Sequence, residues 1–406
     1  MLSPLALLIV AHVSPLQIEI EHIEGMPSFP TPYVVTDWAQ KARDFDALAF
    51  DLEAKGEHLP LIWLDDSKVN IDRVGFGICS YVGPEHRGMN HEAITTLGCV
   101  LGSTFAGLDK SRGSHDWVDL SDQYFNTKNG QNLLLNNVTT VSGQTFWYEV
   151  FPHIIFYSLA DRYRGKRKLM QIVRSTGRKW DLAVRGMTDV NGRPDFDHTA
   201  FDFAAMKPID NGLWTEPDSA GGIAWLEYMA WKESKLPRLL ESTLTALDYL
   251  ESRETNPYYE IMLPFGAYTA ARVNAEQGKQ YDVEKIVRWC FEKTSVPRPG
   301  MAVINERWLG YDCHGLVGAL NTQPWQEPPG GYAFTMNTFC MAWPLVPMVK
   351  YDDRFARTIG RWMLNAANAA RLLYPDAHPA SRQSNADWKG DPKNAIAYEG
   401  LRHRWY

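Results

Sequence analysis

The sequence predicts an all-α protein: an (α/α)6 toroid of about six helical hairpins, with long irregular loops at one mouth. Three observations lead there. Apolar residues recur at helical spacing through most of the chain, with almost no alternation of the strand kind. The connections between these segments are alternately short and long. A short lead-in of aromatic, acid and proline then comes back before successive helices, and self-similarity over tens of residues marks a repeat architecture.

In chain order, the prolines of Pro27 to Pro32 mark an extended lead-in, and Trp38 to Gly56 is the first helix, with Phe45, Leu48 and Leu52 on one side. Leu59 to Leu64 reads as a brief strand or extended return, and Asn90 to Gly107 as a second helix. Lys110 to Gly143 is polar and aperiodic, long for a connection inside a compact fold, which suggests a functional loop. Phe151–Tyr163 and Lys168–Val184 make a hairpin. Asp189 to Gly212 is a second long loop, carrying Asp195, Asp197 and His198.

Asp218–Glu233 and Leu236–Leu250 form the clearest pair: Pro237 suits a first helical position, and Leu239, Leu240, Leu244 and Leu247 make an inward stripe. The next helix starts at Pro264 and runs to Gly278, a residue suited to the left-handed position past a helix end. Its Gly266, Ala267, Ala270 and Ala271 are small enough to let neighbours approach closely. Asp282 caps a helix through Phe291. Thr335–Lys350 and Asp353–Leu373 complete the array.

The repeated lead-in is Trp147-Tyr148-Glu149 before Pro152, and Tyr258-Tyr259-Glu260 before Pro264. The two glutamates are separated by roughly two hairpins' length, and Trp214-Thr215-Glu216-Pro217-Asp218 between them is a looser echo. A helical solenoid of the same hairpins is the alternative architecture. Residues 1–26 are read as a leader and lead-in, and 27–406 as one α-toroid domain.

Composition narrows the function. A net charge of −7 without a long basic run argues against nucleic acid. The five cysteines are scattered, which argues against a zinc site or a disulfide framework. Neither a phosphate-binding loop nor a GxSxG turn is present. No cofactor or metal is expected: metal binding by Asp195, Asp197 and His198, or by Asp312 and His314, is a weaker alternative to loop hydrogen bonding. Leu5 to Ala11 resembles a short export signal, so the expected location is secreted or periplasmic, otherwise cytoplasmic. No segment is a candidate for membrane insertion.

What remains is a set of acids beside aromatics at the starts of successive helices: Trp147, Tyr148 and Glu149; Trp214 and Glu216; Tyr258, Tyr259 and Glu260; Trp308, Tyr311, Asp312 and His314. Aromatic faces stack on sugars, and paired carboxyls supply general-acid and base or nucleophile roles. The 15 Trp and 18 Tyr lean the same way. Each acid also has a plainer reading as a helix cap, and each aromatic as packing.

In layout, the stretch from Trp38 to Leu373 resembles the six-hairpin toroid glycosidases and the related polysaccharide lyases. That resemblance implies a carbohydrate-active enzyme with acids at the mouth of the inner helices. The expected catalytic carboxyls are Glu260 with Glu149, Glu216 or Asp312 as partner. Glu260 is expected to be the proton donor because it follows two tyrosines and precedes an apolar run. The aromatics named above, with His314, are the expected substrate contacts. A lyase of this shape would use Tyr258, Tyr259, His314 and Arg307 on a uronate. A helical array that only binds glycan, or serves as a scaffold, is the non-enzymatic reading.

Overall fold

Side-chain caps and prolines set where the long helices begin. Asp37, Thr145 and Asp282 accept backbone N–H bonds from Gln40, Trp147 and Lys285, while Pro237 and Pro264 stand in first turns, where a missing N–H costs nothing. The computed structural model describes residues 16–56, 59–79, 88–294, 301–308, 310–320 and 331–374. Its helices are α1 (Glu21–Glu24), α2 (Trp38–Ala49), α3 (Ala93–Phe105), α4 (Trp117–Leu120), α5 (Phe146–Arg162), α6 (Arg167–Gly186) and α7 (Ser219–Ser234). They continue with α8 (Pro237–Ser252), α9 (Leu263–Gln277), α10 (Val283–Phe291), α11 (Thr335–Met348) and α12 (Ala356–Ala370). The protein is mostly helical. The export expectation, at Leu5–Ala11, lies outside the described residues.

Neighbours pack in chain order. α3 lies on α5, α5 on α7, α7 on α9 and α9 on α11, while α6, α8, α10 and α12 each contact the helix they follow. With α2 on α3, that makes five pairs among the described residues, against about six expected. One aromatic from each of α3, α5, α7, α9 and α11 joins a shared cluster. Trp343 is its hub, 5.8 Å from Phe105, 6.5 Å from Phe151 and 5.2 Å from Phe265, ring centre to ring centre; Trp225 meets Phe265 at 5.7 Å. Edge-on contacts of this kind add to the burial of the rings themselves.

The chain's beginning straps its end. Ile18 N–H donates to the Arg354 carbonyl, and Glu19 and Glu24 pair with Arg357. Arg361 bonds the Glu24 side chain and carbonyl, and Arg288 of α10 reaches the Glu19 carbonyl. α10 and α12 are thereby held to one segment.

Three expectations change in detail. The loops are not strand-free: among the described residues they hold nine short antiparallel strands, including Ile62–Asp65 with Gly75–Ile78 and Ala200–Asp202 with Lys207–Ile209. The 110–143 loop also contains α4 and a turn of tight helix at Ser121–Tyr124. The two matching lead-ins differ in conformation. Trp147-Tyr148-Glu149 is already the first turn of α5, with Pro152 inside the helix, whereas Tyr258-Tyr259-Glu260 is non-helical and α9 begins after it. Thr145 explains the difference. Its cap starts α5 early, and Pro152, seventh in the helix, forgoes the bond to the Tyr148 carbonyl. Gly278, at φ 67°, ends α9 as expected. No helix among the described residues is long and apolar enough to cross a membrane.

Ala267, Ala270 and Ala271 are buried, yet the tightest contact lies at two glycines. A Cβ on Gly221 would stand 2.7 Å from the Met262 carbonyl oxygen, and one on Gly266 would stand 2.9 Å from Gly221 Cα. Backbone cannot yield as a side chain can. Gly221→Ala should therefore cost on the order of 1–3 kcal/mol in urea unfolding, as overpacking does. Gly98→Ala, in a helix interior with open space around its Cβ, should stabilise by up to about 1 kcal/mol. Equal midpoints for the two variants would contradict the close α7–α9 crossing.

Candidate functional site

The acids at the starts of α5, α7 and α9 interlock. Glu216, just before α7, accepts the Trp147 backbone N–H at 2.7 Å, the Thr145 hydroxyl and its own neighbour's indole, Trp214 Nε1, at 3.0 Å. It thus caps the first turn of α5. Asp218 accepts the Glu260 N–H at 3.0 Å and so holds the lead-in to α9. Glu149, on α5, takes N–H bonds from Gly143 at 2.6 Å, Gln144 at 3.0 Å and Phe201 at 3.1 Å. It ties the loop ahead of α5 to the Ala200–Asp202 strand. Each acid belongs to one element and secures another.

All four carboxyls, Glu260 included, are buried. Burial pushes Glu149 up to about 8 against the pull of its three N–H donors, with the Glu216 charge adding to the rise. Burial likewise raises Glu216 to about 7, helped by Glu260, and Asp218 to about 8, helped by Glu216 and Glu260. The charges that act on these three come from within the set, Glu216 and Glu260, so the four carboxyls form one electrostatic group. Tyr148 and Trp214, beside it, are 38% and 39% exposed. Trp147 is buried and stacks on Phe151 at 4.9 Å; Tyr258 is buried and Tyr259 half-buried.

No family model and no curated protein matches the chain. The site is therefore read from its own geometry.

The fourth expected cluster sits elsewhere in the packing. Trp308, Tyr311 and Asp312 lie in a hairpin, Arg307–Trp308 with Tyr311–Asp312, that packs with Leu316 and Ala369–Leu373 in a satellite apolar cluster. Asp312 bonds the His314 ring and backbone N–H, Arg307 donates to the Gly310 carbonyl, and Trp308 donates to Glu306 at 2.8 Å. In the long loop, Asp197 pairs with Arg253 at 2.6 Å and His198 with Asp210 at 2.9 Å. Among the described residues no three His, Cys, Asp or Glu side chains are grouped to hold a metal.

Two buried polar groups escaped the sequence reading. Asp65, His91 and Tyr124 form a relay, with His91 Nε2 3.1 Å from Asp65 and Nδ1 2.5 Å from the Tyr124 hydroxyl. Burial lowers the His91 pKa, so the ring is neutral and links the two loops flanking α3. Glu227 is fully buried on α7 with neither oxygen hydrogen-bonded. Burial, and then the nearby Asp181, raise it well above the ordinary value. A lone acid inside the apolar run Ala220–Ala230 was a visible signal for it; three residues from three loops left no such signal for the relay.

The raised groups fix a pH dependence. Glu149 and Glu216 ordinarily titrate near 4.5 and Asp218 near 3.8, and all three bind protons more tightly when folded. Their stabilising effect is fully present below the unfolded values and is lost as pH rises toward about 7–8. Thermal melts should give a higher Tm at pH 5 than at pH 8. Glu227→Gln, neutral at every pH, should make that decline shallower. A Tm that climbs steadily between those pH values would contradict the buried, proton-holding state.

Proposed function

We propose that the five helix pairs close into an α-toroid and that the mouth at the starts of α5, α7 and α9 is the active site of a carbohydrate-active enzyme, a glycoside hydrolase. The observation that carries this reading is the gathering of three buried carboxyls, with Asp218 bonding the Glu260 N–H and Glu216 the Trp147 N–H, beside the part-exposed Trp214 and Tyr148. Paired carboxyls with adjoining aromatic faces suit a sugar substrate. The Phe105–Trp343 contact between α3 and α11 supports closure of the ring.

In this scheme Glu260 donates a proton to the leaving glycosidic oxygen, and Glu216 is its partner across the mouth: in its ionised form Glu216 attacks the anomeric carbon or takes a proton from the water that does. Glu149 and Asp218 are positioning residues: their oxygens hold backbone N–H groups of neighbouring elements. The substrate is an oligosaccharide or polysaccharide chain resting on Trp214 and Tyr148. Binding energy from those faces orients the scissile bond, and the low-polarity surroundings of the acids strengthen their action on it.

Glu260→Gln keeps the shape of the side chain and cannot donate a proton. It should cut turnover of a glycan by about 10²–10⁴-fold while leaving binding and the circular dichroism spectrum unchanged. Normal hydrolysis by that variant would reduce Glu260 to a structural role. Unsaturated uronate products from the wild type would replace hydrolysis with lyase chemistry. Glycan binding without turnover would leave a binding module.

A further inference from the structure

Away from that mouth, a cavity of roughly 270 Å³ opens between the start of α6 and the loops around Asn70 and Phe125. The helix contributes Lys168, Gln171, Ile172 and Ser175, which share one face because they stand three, four and seven residues from the first. Ile71 and Ile172 form a buried apolar floor, and half-buried Phe125 stands beside it. Asp122 is 2% exposed. One of its oxygens accepts from Arg73 Nη2 at 2.9 Å and the other pairs with the Lys168 ammonium. That buried carboxylate is compensated and fixed, and it holds Lys168 at the rim. Gln171 and Ser175 are exposed on the same rim, so an amide and a hydroxyl are available to a ligand.

We propose that this cavity is a second binding site and that it takes a single sugar ring. The choice of ligand class rests on the carbohydrate reading above; the site itself rests on its own walls. An apolar floor with one aromatic suits the carbon face of a pyranose. Amide, hydroxyl and ion-pair groups around it offer both donors and acceptors, as a polyhydroxylated ring requires. Arg73 and Lys168 set two positive charges against the single charge of Asp122, so the rim accepts a neutral or an acidic ring alike. The volume falls just below the roughly 300–1,000 Å³ of pockets for drug-sized ligands, and suits one ring rather than a chain. None of its lining residues belongs to the carboxyl group at the mouth. A glycan-acting enzyme with such a site would hold a chain end or side branch outside its reacting centre.

Saturation-transfer NMR on the full chain tests this with D-glucose, D-galactose and glucuronate, each at millimolar concentration. Ser175→Trp fills the cavity from an exposed helix position, and Gln171→Ala removes one polar contact. At least one of the three should bind the wild type. Ser175→Trp should weaken that binding by about tenfold or more, and Gln171→Ala by less, while Glu260→Gln leaves it unchanged. Binding that survives Ser175→Trp, or that Glu260→Gln abolishes, places the sugar elsewhere and overturns the cavity proposal. So does a wild type that binds none of the three. The hydrolase reading stands or falls separately, on turnover by Glu260→Gln.

Discussion

The bond from the Trp147 backbone N–H to Glu216 joins the start of one helix to the start of the next. Glu216 precedes α7 and caps α5; Asp218, two residues on, holds the lead-in to α9; Glu149 returns from α5 to the loop before it. A helix start needs acceptors for its free N–H groups, and acidic side chains there also meet the positive end of the helix dipole. Here α5 takes an acceptor from the neighbouring element as well as from its own Thr145 cap. The relative placement of α5, α7 and α9 therefore depends on carboxyls that are out of water. Removing one would orphan several buried donors together, at about 1–3 kcal/mol for each.

The aromatic cluster around Trp343 supplies the complementary constraint from inside. Caps fix where the helices begin, and Phe105, Phe151, Trp225, Phe265 and Trp343 fix how they meet. Gly221 and Gly266 set the closest approach, which brings Asp218 within reach of the α9 lead-in. Because the acids gather where the helices start, packing and chemistry share the same residues. Desolvation that would be a liability in a purely structural cap is what keeps Glu149 and Asp218 protonated near neutrality and leaves Glu216 able to give or take a proton there.

Helix type and most helix starts were legible because they depend on local signals: Asp282 as a cap, Pro237 and Pro264 in first turns, and Gly278 past an end. The α5 start was misjudged because Pro152 looked like a boundary, while Thr145 five residues before Val150 had already begun the helix. Of the short strands, Ile62–Asp65 overlaps the brief strand or extended return read at Leu59 to Leu64; the others were missed because two to four residues carry no period. Of the site, Glu149, Glu216 and Glu260 were visible as acids beside aromatics, and the structure brings those three together. Asp312 and His314 carried the same signal and pair with each other in the satellite cluster. Composition around a residue tells its company in sequence; which helix start it caps is a tertiary fact. Asp218, the link between α7 and α9, shows that difference most clearly.

The central claim, that the carboxyls joining these helices are buried and hold protons near neutrality, is most directly tested by their own titration. In protein carrying ¹³C-labelled glutamate and aspartate side chains, carboxyl resonances can be followed across the pH range and assigned through Glu149→Gln, Glu216→Gln and Asp218→Asn. Midpoints of about 8 for Glu149, about 7 for Glu216 and about 8 for Asp218 are expected, with the protein folded throughout. Midpoints for all three at or below the ordinary 4.5 and 3.8 would contradict it: the acids would then be solvated caps, and the mouth would lack the coupled group on which the proposed chemistry depends.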